Sequence, residues 1–215
     1  MSEKVNGEYQ KLLEKKNLTL AQKAKANFIQ QFVAKGEITE VGEKRLEFME
    51  THGIDCQILS YGNNSPSYLD PKQAVVLCQM ANEELAGYCK QYPGNFYGFA
   101  VLPVGDTGAA LTELERAVKT LGLKGIIFNG AYQESYFDED RFFPIFEMAQ
   151  ELKVPVMLHP GEVPTEVAKT YYQGSWPVAV ANVFAGHGIG WHYDAWVQYM
   201  RMILSGIFDR LPNCS

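Results

Sequence analysis

An apolar run that ends in a histidine and two turn residues constrains the fold of this chain more than any other segment. The run extends from Val154 to Leu158, and His159, Pro160 and Gly161 follow it directly. A short, continuously apolar and partly β-branched run is typical of a parallel strand that is buried on both faces. Parallel sheets and α/β barrels carry their chemistry at the carboxyl ends of the strands, where His159 is expected to lie. The alternative for a single histidine is a core residue whose ring is satisfied by a backbone carbonyl.

Strand and helix patterns alternate along most of the chain. The predicted strands extend over Ile54–Ser60, Phe96–Val104, Leu123–Asn129 and Val154–His159. The predicted helices between them extend over Pro71–Tyr92, from Asp106 or Thr107 to Gly122, and from a cap at Asp138 to Leu152. Repeated strand–helix units with short connections imply parallel strands joined by right-handed crossovers. Four strands are too few for a closed eight-stranded barrel, which needs roughly 250 residues.

Helical patterns also precede and follow these units. Residues 8–34 predict a charged amphipathic helix, and Thr39–Thr51 a second helix that ends at His52 and Gly53. A long loop over residues 160–192 is expected to be functional or to contain short helices. We expect a last helix over about Tyr193–Ser205, with Asp194 as its cap or first-turn acid. Its buried side is predicted to carry Trp196, Tyr199, Met200, Ile203 and Leu204.

Length, charge and cysteine spacing exclude several classes of protein. The 215 residues are 47% hydrophobic and predict a single domain, of which residues 1–38 form an N-terminal helical segment. A net charge of -6 without a basic stripe argues against nucleic acid as a partner. The sequence contains no apolar run that could span a bilayer, no signal-peptide core and no metal-like spacing of its cysteines. We therefore expect a cytoplasmic protein that binds neither nucleic acid nor membranes.

Six segments carry a resemblance that covers about residues 40–213. They are Phe96–Pro103, Glu113–Val118, Leu123–Gly130, Phe142–Glu147, Val154–Pro160 and Arg201–Arg210. In this order and spacing they resemble the amidohydrolase superfamily, in particular the branch of metal-dependent aromatic-acid decarboxylases and hydrolases. That branch includes the aminocarboxymuconate-semialdehyde, γ-resorcylate and 2,3-dihydroxybenzoate decarboxylases. The resemblance implies an α/β fold, an incomplete (β/α)8 TIM-barrel-like domain of about four parallel strands with flanking helices.

The resemblance also implies a site for one divalent metal, zinc or manganese. Family members bind it with a His-x-His or Glu-x-His pair on the first strand, a histidine that ends the fifth strand and an aspartate on the eighth. His159 matches the fifth-strand ligand. The other ligands have no counterpart, because the chain opens in a helix and stops at Leu211–Ser215, where the sixth strand would begin. We therefore expect a domain truncated at both ends, with little or no tightly bound metal.

Three further histidines are candidate ligands or catalytic groups. The triplet Glu50, Thr51 and His52 imitates the first-strand pair, but it is predicted at the end of a helix, where His52 would favour the helix dipole. His187 and His192 follow the His159 strand and are the candidate catalytic residues. With His159 they could form a zinc site, although the spacing is not a recognised one. The alternative is that they line a substrate cavity or fix the loop.

Asn129, Arg45 and Trp191 are the candidate substrate-binding residues. Asn129 ends a strand on the same face as His159, and its alternative is a plain Asn-Gly turn. Arg45 resembles a family position that holds a substrate carboxylate, and its alternative is a surface ion pair. Trp191 could stack on an aromatic acid, although aromatic residues in a long loop more often anchor it. The same two interpretations apply to Tyr171, Tyr172 and Trp176.

The sequence is compatible with two functions. The first is a metal-dependent decarboxylase or hydrolase that acts on a small, aromatic carboxylic acid. The second is a non-catalytic truncated relative that serves as an assembly or binding module, because a single histidine cannot hold zinc. A nucleotide-binding domain is a weaker third idea, since the chain has no Gly-x-Gly-x-x-Gly motif or phosphate loop. Open strand edges at Ile54–Ser60 and Val154–His159 predict a homo-oligomer.

Overall fold

The computed structural model describes residues 40–62, 65–133 and 135–215, and the helix predicted over residues 8–34 lies outside them. The strands are β1 Gln57–Leu59, β2 Phe96–Ala100, β3 Gly125–Asn129 and β4 Val156–His159. The helices are α1 Glu43–Thr51, α2 Pro71–Gln91, α3 Thr107–Lys119, α4 Phe143–Glu151, α5 Thr165–Val167, α6 Val178–Val183, α7 Gly190–Leu204 and α8 Ile207–Arg210. Short 3₁₀ helices lie at Pro66–Tyr68 and Asp140–Phe142.

The four strands form one parallel sheet in the order β1-β2-β3-β4, which confirms the parallel strands predicted from the alternating units and the incomplete barrel that the resemblance implies. In the register, Ile58 lies beside Tyr97, and Ile127 beside Met157. These residues belong to the concave face, which fills the interior in a closed barrel. Ile58, Tyr97 and Met157 are exposed on it by 56%, 38% and 45%. The helices α2, α3 and α4 cover the opposite face of the sheet.

The predicted helix ends are confirmed at several positions. The Asp106 carboxylate accepts a hydrogen bond from the Ala109 amide at 3.0 Å, as an N-cap residue should. Asp70 caps α2 in the same way, and Pro71 occupies its first turn. Gly53 lies just after α1 with φ of +64°, in the left-handed region that glycine enters without steric cost. These local signals therefore place the ends of the first helices to within a few residues.

A fully buried amide side chain joins the sheet to the helices behind it. The side chain of Asn82, on α2, is 0% exposed. Its Nδ2 donates to the Val101 carbonyl at 2.9 Å and to Glu113 Oε1 at 2.7 Å. Its Oδ1 accepts from the Val101 amide, also at 2.9 Å. Arg116 pairs with the same Glu113 carboxylate at 2.8 and 2.9 Å, which completes the network between α2, α3 and the end of β2.

The prediction of which side of the last helix is buried is wrong. The predicted core residues Trp196, Tyr199, Ile203 and Leu204 are exposed by 62%, 50%, 41% and 79%. The buried residues of α7 are instead Gly190, Asp194, Gln198 and Met202. Amphipathic spacing reveals an apolar face, but it does not say whether that face meets the core or another surface.

Two acids also have different roles from those predicted. Asp194 lies in the second turn of α7 and accepts a hydrogen bond from the Tyr136 hydroxyl at 2.6 Å, so it is not a cap or first-turn acid. Asp138 does not cap the helix that follows it, and binds Arg201 in a bidentate pair at 2.8 and 2.9 Å. Both acids take part in long-range contacts between α7 and residues 136–138, and these contacts outweigh local capping.

The predicted loop over residues 160–192 contains short helices, which is one of the two alternatives expected for it. They are α5, α6 and two π-helical segments, Ala168–Tyr172 and Phe184–Gly188. α7 begins at Gly190, earlier than predicted, so His192 lies in its first turn. Among the helices in the described part of the chain, none is long and apolar enough to cross a membrane.

Candidate functional site

The carboxyl ends of β3 and β4 place Asn129 and His159 side by side. The two residues are direct neighbours in the parallel register. The Gly130 amide donates to the His159 carbonyl at 2.9 Å, which holds the two strand ends together. A Cβ on Gly130 would lie 2.4 Å from Gly161 Cα, so only glycine allows these backbones to approach so closely. The structure therefore brings together two of the predicted site residues at the edge where parallel sheets carry their chemistry.

The imidazole of His159 is oriented by the backbone. Its Nδ1 lies 2.7 Å from the Pro160 carbonyl. Since a carbonyl only accepts, Nδ1 carries the proton in this contact and Nε2 is the acceptor nitrogen. A histidine that binds a metal usually donates its other ring N–H in this way. The same bond would satisfy a core histidine, but the ring is only half-buried, which favours the site interpretation.

Asn129 offers a hydrogen-bond acceptor at the same edge. Its Nδ2 donates to the Tyr61 carbonyl at 3.1 Å, so the amide is held between the ends of β1 and β3. Its side chain is buried, and its Oδ1 has no hydrogen-bond partner among the described residues. A buried acceptor without a partner costs free energy, and a ligand hydroxyl or N–H group would remove this cost. A plain turn does not by itself account for this buried acceptor.

Tyr68 supports this edge and was missed by the sequence analysis. Its hydroxyl accepts from the Asn129 amide at 2.7 Å and donates to the Gly130 carbonyl at 3.2 Å. Burial raises the pKa of this phenol, so the group stays protonated and can serve as donor and acceptor. Nothing in the local sequence indicates this role, because Tyr68 and Asn129 are 61 residues apart. The position of Tyr61 at this edge could have been found from the sequence, since Tyr61 directly follows the predicted first strand.

Arg45 and His52 lie away from this edge. Arg45 Nη1 donates to the side chain of Gln57 at 3.3 Å, beside the first residue of β1. A hollow of about 600 Å³ lies nearby, at the amino side of the strands, with Glu43, Glu47, Glu50 and Asp55 in its lining. His52 is exposed at the end of α1, where its Nδ1 lies 2.8 Å from the Phe48 carbonyl. Its helix-end interpretation is therefore confirmed.

His187 and His192 are both exposed, in the helical region after β4. His187 lies against Trp191, with a ring-centroid distance of 5.8 Å. Within residues 40–62, 65–133 and 135–215, no group of three or more His, Cys, Asp or Glu side chains is placed to hold a metal ion. The structure therefore does not gather His159, His187 and His192 into the zinc site considered above.

The aromatic residues of this region mostly contact one another. Tyr172 is buried and lies edge-on to Phe184 at 5.0 Å between ring centroids. Trp176 Nε1 donates to the Tyr172 carbonyl at 3.1 Å. Contacts of this kind are typical of side chains that anchor a loop, which is the alternative interpretation of these aromatic residues. Tyr171 is 68% exposed, and its ring lies edge-on to that of Tyr172 at 6.2 Å between centroids.

Comparisons with known proteins agree with the fold. Residues 36–215 match the amidohydrolase family Amidohydro_2. The γ-resorcylate decarboxylase of Rhizobium radiobacter is 32% identical over an alignment of 185 residues, and the match covers 82% of this chain and 54% of that enzyme. The crystal structure of 2,6-dihydroxybenzoate decarboxylase from Rhizobium superposes with a TM-score of 0.74 and 30% identity, over 82% of this chain and 55% of the other.

A second solved structure covers the whole chain. It is the 5-carboxyvanillate decarboxylase from Novosphingobium aromaticivorans complexed with manganese and 4-hydroxy-3-methoxy-5-nitrobenzoic acid. It superposes with a TM-score of 0.83 and 26% identity, over 100% of this chain and 60% of the other. The chain thus spans about half the length of the relatives that it matches.

Proposed function

Because this chain belongs to the amidohydrolase family, we propose that its parent reaction is the metal-dependent decarboxylation of a small aromatic carboxylic acid. The support is the edge formed by His159 and Asn129, together with relatives named as decarboxylases of dihydroxybenzoates and carboxyvanillate. A cytoplasmic location and homo-oligomerisation stay predictions from the sequence.

The described residues fit one ligand position of such a metal. His159 offers Nε2 while its Nδ1–H is held by the Pro160 carbonyl. A divalent cation, when bound, would polarise the oxygen groups of the substrate. A catalytic zinc takes three protein ligands, and the described residues contain no group of three. The described residues therefore do not complete a metal site, and the choice between zinc and manganese stays open.

The remaining residues of the edge would recognise the substrate. Asn129 Oδ1 can accept a hydrogen bond from a phenolic hydroxyl, which the dihydroxybenzoates carry beside the carboxylate. Tyr68 fixes the backbone on both sides of that acceptor, through the Asn129 amide and the Gly130 carbonyl. A rigid acceptor loses little conformational entropy on binding, so it can select a hydroxyl at a defined position.

Paramagnetic Mn²⁺ provides a direct test of the ligand assignment. The chain has four histidines, His52, His159, His187 and His192, so their imidazole proton signals can be followed individually. We expect Mn²⁺ to broaden the signal of His159 at lower concentration than the other three. His52→Ala is the matched control, and it should leave the broadening of His159 unchanged. Equal broadening of all four signals would remove His159 from the proposal.

Substrate recognition is tested separately with 2,6-dihydroxybenzoate. We expect weak binding, visible as chemical-shift changes of the Asn129 side-chain amide, with benzoate itself binding more weakly because it lacks the hydroxyls. Turnover by this chain with Mn²⁺ is expected at the background rate. Equal binding of both acids would count against the hydrogen bond to Asn129 Oδ1.

An assembly or binding module is the second candidate function. It is favoured by the outward face of α7, where Trp196 and Leu204 are among the most exposed apolar side chains of the described residues. Large exposed apolar patches commonly mark sites of protein interaction. The two candidates differ in the binding of the aromatic acid, which only the first requires.

A further inference from the structure

A short and rigid turn brings the Tyr68 side chain to the carboxyl edge of the sheet. Tyr68 ends the 3₁₀ helix Pro66–Tyr68, which follows β1 and carries proline in its first turn. Ser65, just before this helix, accepts a hydrogen bond from the Ser67 amide at 3.3 Å, and the hydroxyl oxygens of the two serines lie 2.8 Å apart. Both serines are buried. Because proline fixes φ and the serine bonds close the turn, the backbone of Tyr68 has a well-defined position.

The Tyr68 hydroxyl holds the chain where β3 ends and turns. The ladder between β2 and β3 ends at Ala100 and Ile126, so the Asn129 amide lies beyond this pairing. The hydroxyl accepts from that amide at 2.7 Å and donates to the Gly130 carbonyl at 3.2 Å. Gly130 has a φ of +73°, which turns the chain away from the strand direction. One hydroxyl thus fixes a backbone group on each side of the turn.

Two further bonds connect this turn to the residues of the proposed site. The Asn129 side chain donates from Nδ2 to the Tyr61 carbonyl at 3.1 Å, which leaves Oδ1 as the acceptor without a partner among the described residues. The Gly130 amide donates to the His159 carbonyl at 2.9 Å, so the end of β4 is bonded to the same turn. Asn129 and His159 therefore share one backbone framework, and the Tyr68 hydroxyl is part of it.

We infer that Tyr68 is a positioning residue of the site, whose hydroxyl sets where the Asn129 acceptor and the His159 imidazole stand relative to each other. The inference rests on the proposed function, because it needs a ligand that donates to Asn129 Oδ1. Tyr68→Phe keeps the ring and removes only the hydroxyl, so the Asn129 amide and the Gly130 carbonyl lose their partner together. The acceptor then takes several orientations, and a ligand has to order it at a cost in entropy.

The affinities for 2,6-dihydroxybenzoate and benzoate, measured by NMR titration of the full chain, test this role. Only the first acid can donate a hydroxyl proton to Asn129 Oδ1. We expect the wild type to bind it about fivefold more tightly than benzoate, which is the usual net worth of one hydrogen bond. In Tyr68→Phe this ratio should fall to about one to two. An unfolded fraction weakens both apparent affinities by the same factor, so loss of stability alone does not change the ratio.

Two other tyrosine hydroxyls provide matched controls. Tyr136→Phe removes a hydroxyl that donates to Asp194 on α7 at 2.6 Å, so it should destabilise the chain much as Tyr68→Phe does. It should nevertheless leave the ratio of affinities at about fivefold, because the turn after β3 keeps its bonds to Tyr68. Tyr199→Phe removes a hydroxyl from a side chain that is 50% exposed, and should change neither the stability nor the ratio.

A second measurement needs no acid. The ¹⁵N relaxation of the Asn129 side-chain amide reports its motion on the picosecond to nanosecond timescale. In Tyr68→Phe we expect this amide to become more mobile, because its backbone is no longer held. The side-chain amide of Asn82, which bonds to Val101 and Glu113, is the internal control and should keep its wild-type relaxation. Tyr136→Phe should leave both amides unchanged.

The outcomes separate this inference from the proposed function. If the wild type binds both acids equally, the hydrogen bond to Asn129 is refuted and the inference falls with it. If the wild type discriminates between the acids and Tyr68→Phe discriminates equally well, the proposed function stands and Tyr68 is not a positioning residue. An equal loss of the ratio in Tyr136→Phe, or an Asn129 amide that stays as rigid in Tyr68→Phe as in the wild type, would also overturn the inference.

Discussion

Replacing Asn82 by alanine should destabilise the chain more than any exposed substitution on the same helix. The Asn82 side chain hydrogen-bonds to the Val101 backbone as a neighbouring strand would. It accepts from the Val101 amide and donates to the Val101 carbonyl, at 2.9 Å each. It also donates to Glu113 Oε1 at 2.7 Å. Alanine removes all three bonds at a position that is 0% exposed, where water does not replace them.

The size of the effect follows from the groups left without partners. A buried polar group without a partner costs about 1–3 kcal/mol. The amide and carbonyl of Val101 both lose their partner, whereas Glu113 keeps its two bonds to Arg116. We therefore expect a loss of about 3 kcal/mol in the free energy of unfolding. For a chain of this size that corresponds to a decrease in Tm of about 6–12 °C.

Thermal and urea unfolding, followed by circular dichroism, measure this loss. Lys90→Ala, at an exposed position of α2, is the matched control and should change the free energy by no more than about 0.5 kcal/mol. Asn82→Asp should also be destabilising at neutral pH, because it places a carboxylate beside that of Glu113. A loss below about 1 kcal/mol in Asn82→Ala would refute the reasoning, since two orphaned backbone groups cost more than that.

Further predictions concern the carboxyl edge and α7. Tyr68→Phe should lower the free energy of unfolding by about 1–3 kcal/mol, because the Asn129 amide loses its acceptor; an unchanged urea midpoint would contradict this. Burial raises the pKa of Asp194 in the folded chain, partly offset by the bond from Tyr136, above the value of about 3.9 for an unfolded chain. The stability that this carboxyl contributes therefore falls as the pH rises from its pKa in the unfolded chain to its pKa in the folded chain. The Tm of Asp194→Asn should accordingly rise relative to that of the wild type from pH 4 upward. A Tm difference that does not change with pH would contradict this. Elemental analysis after dialysis should find well under one equivalent of zinc or manganese, and a stoichiometric metal lost in His159→Ala would show that further ligands are recruited.

Much of the half-barrel could be predicted from local patterns. The apolar runs mark all four strands. The prediction that the last strand is buried on both faces is wrong, since Met157 on β4 is 45% exposed on the face that the helices do not cover. Asp106 and Gly53 mark helix ends, since capping depends on a few neighbouring residues. Those runs also place Asn129 and His159 at strand ends, and the parallel register makes them neighbours. These features depend on interactions within one element or on a regular spacing.

Contacts between distant segments were decided only by the tertiary structure. Tyr68 reaches Asn129 across 61 residues, and Asp138 reaches Arg201 across 63. The second contact, with the bond from Tyr136 to Asp194, turns the polar side of α7 inward and leaves Trp196 in solvent. The sequence determined that α7 has an apolar face and a polar face. Which face points inward depends on the contacts that the rest of the fold offers to the polar side of the helix, here the Tyr136 hydroxyl for Asp194 and Asp138 for Arg201.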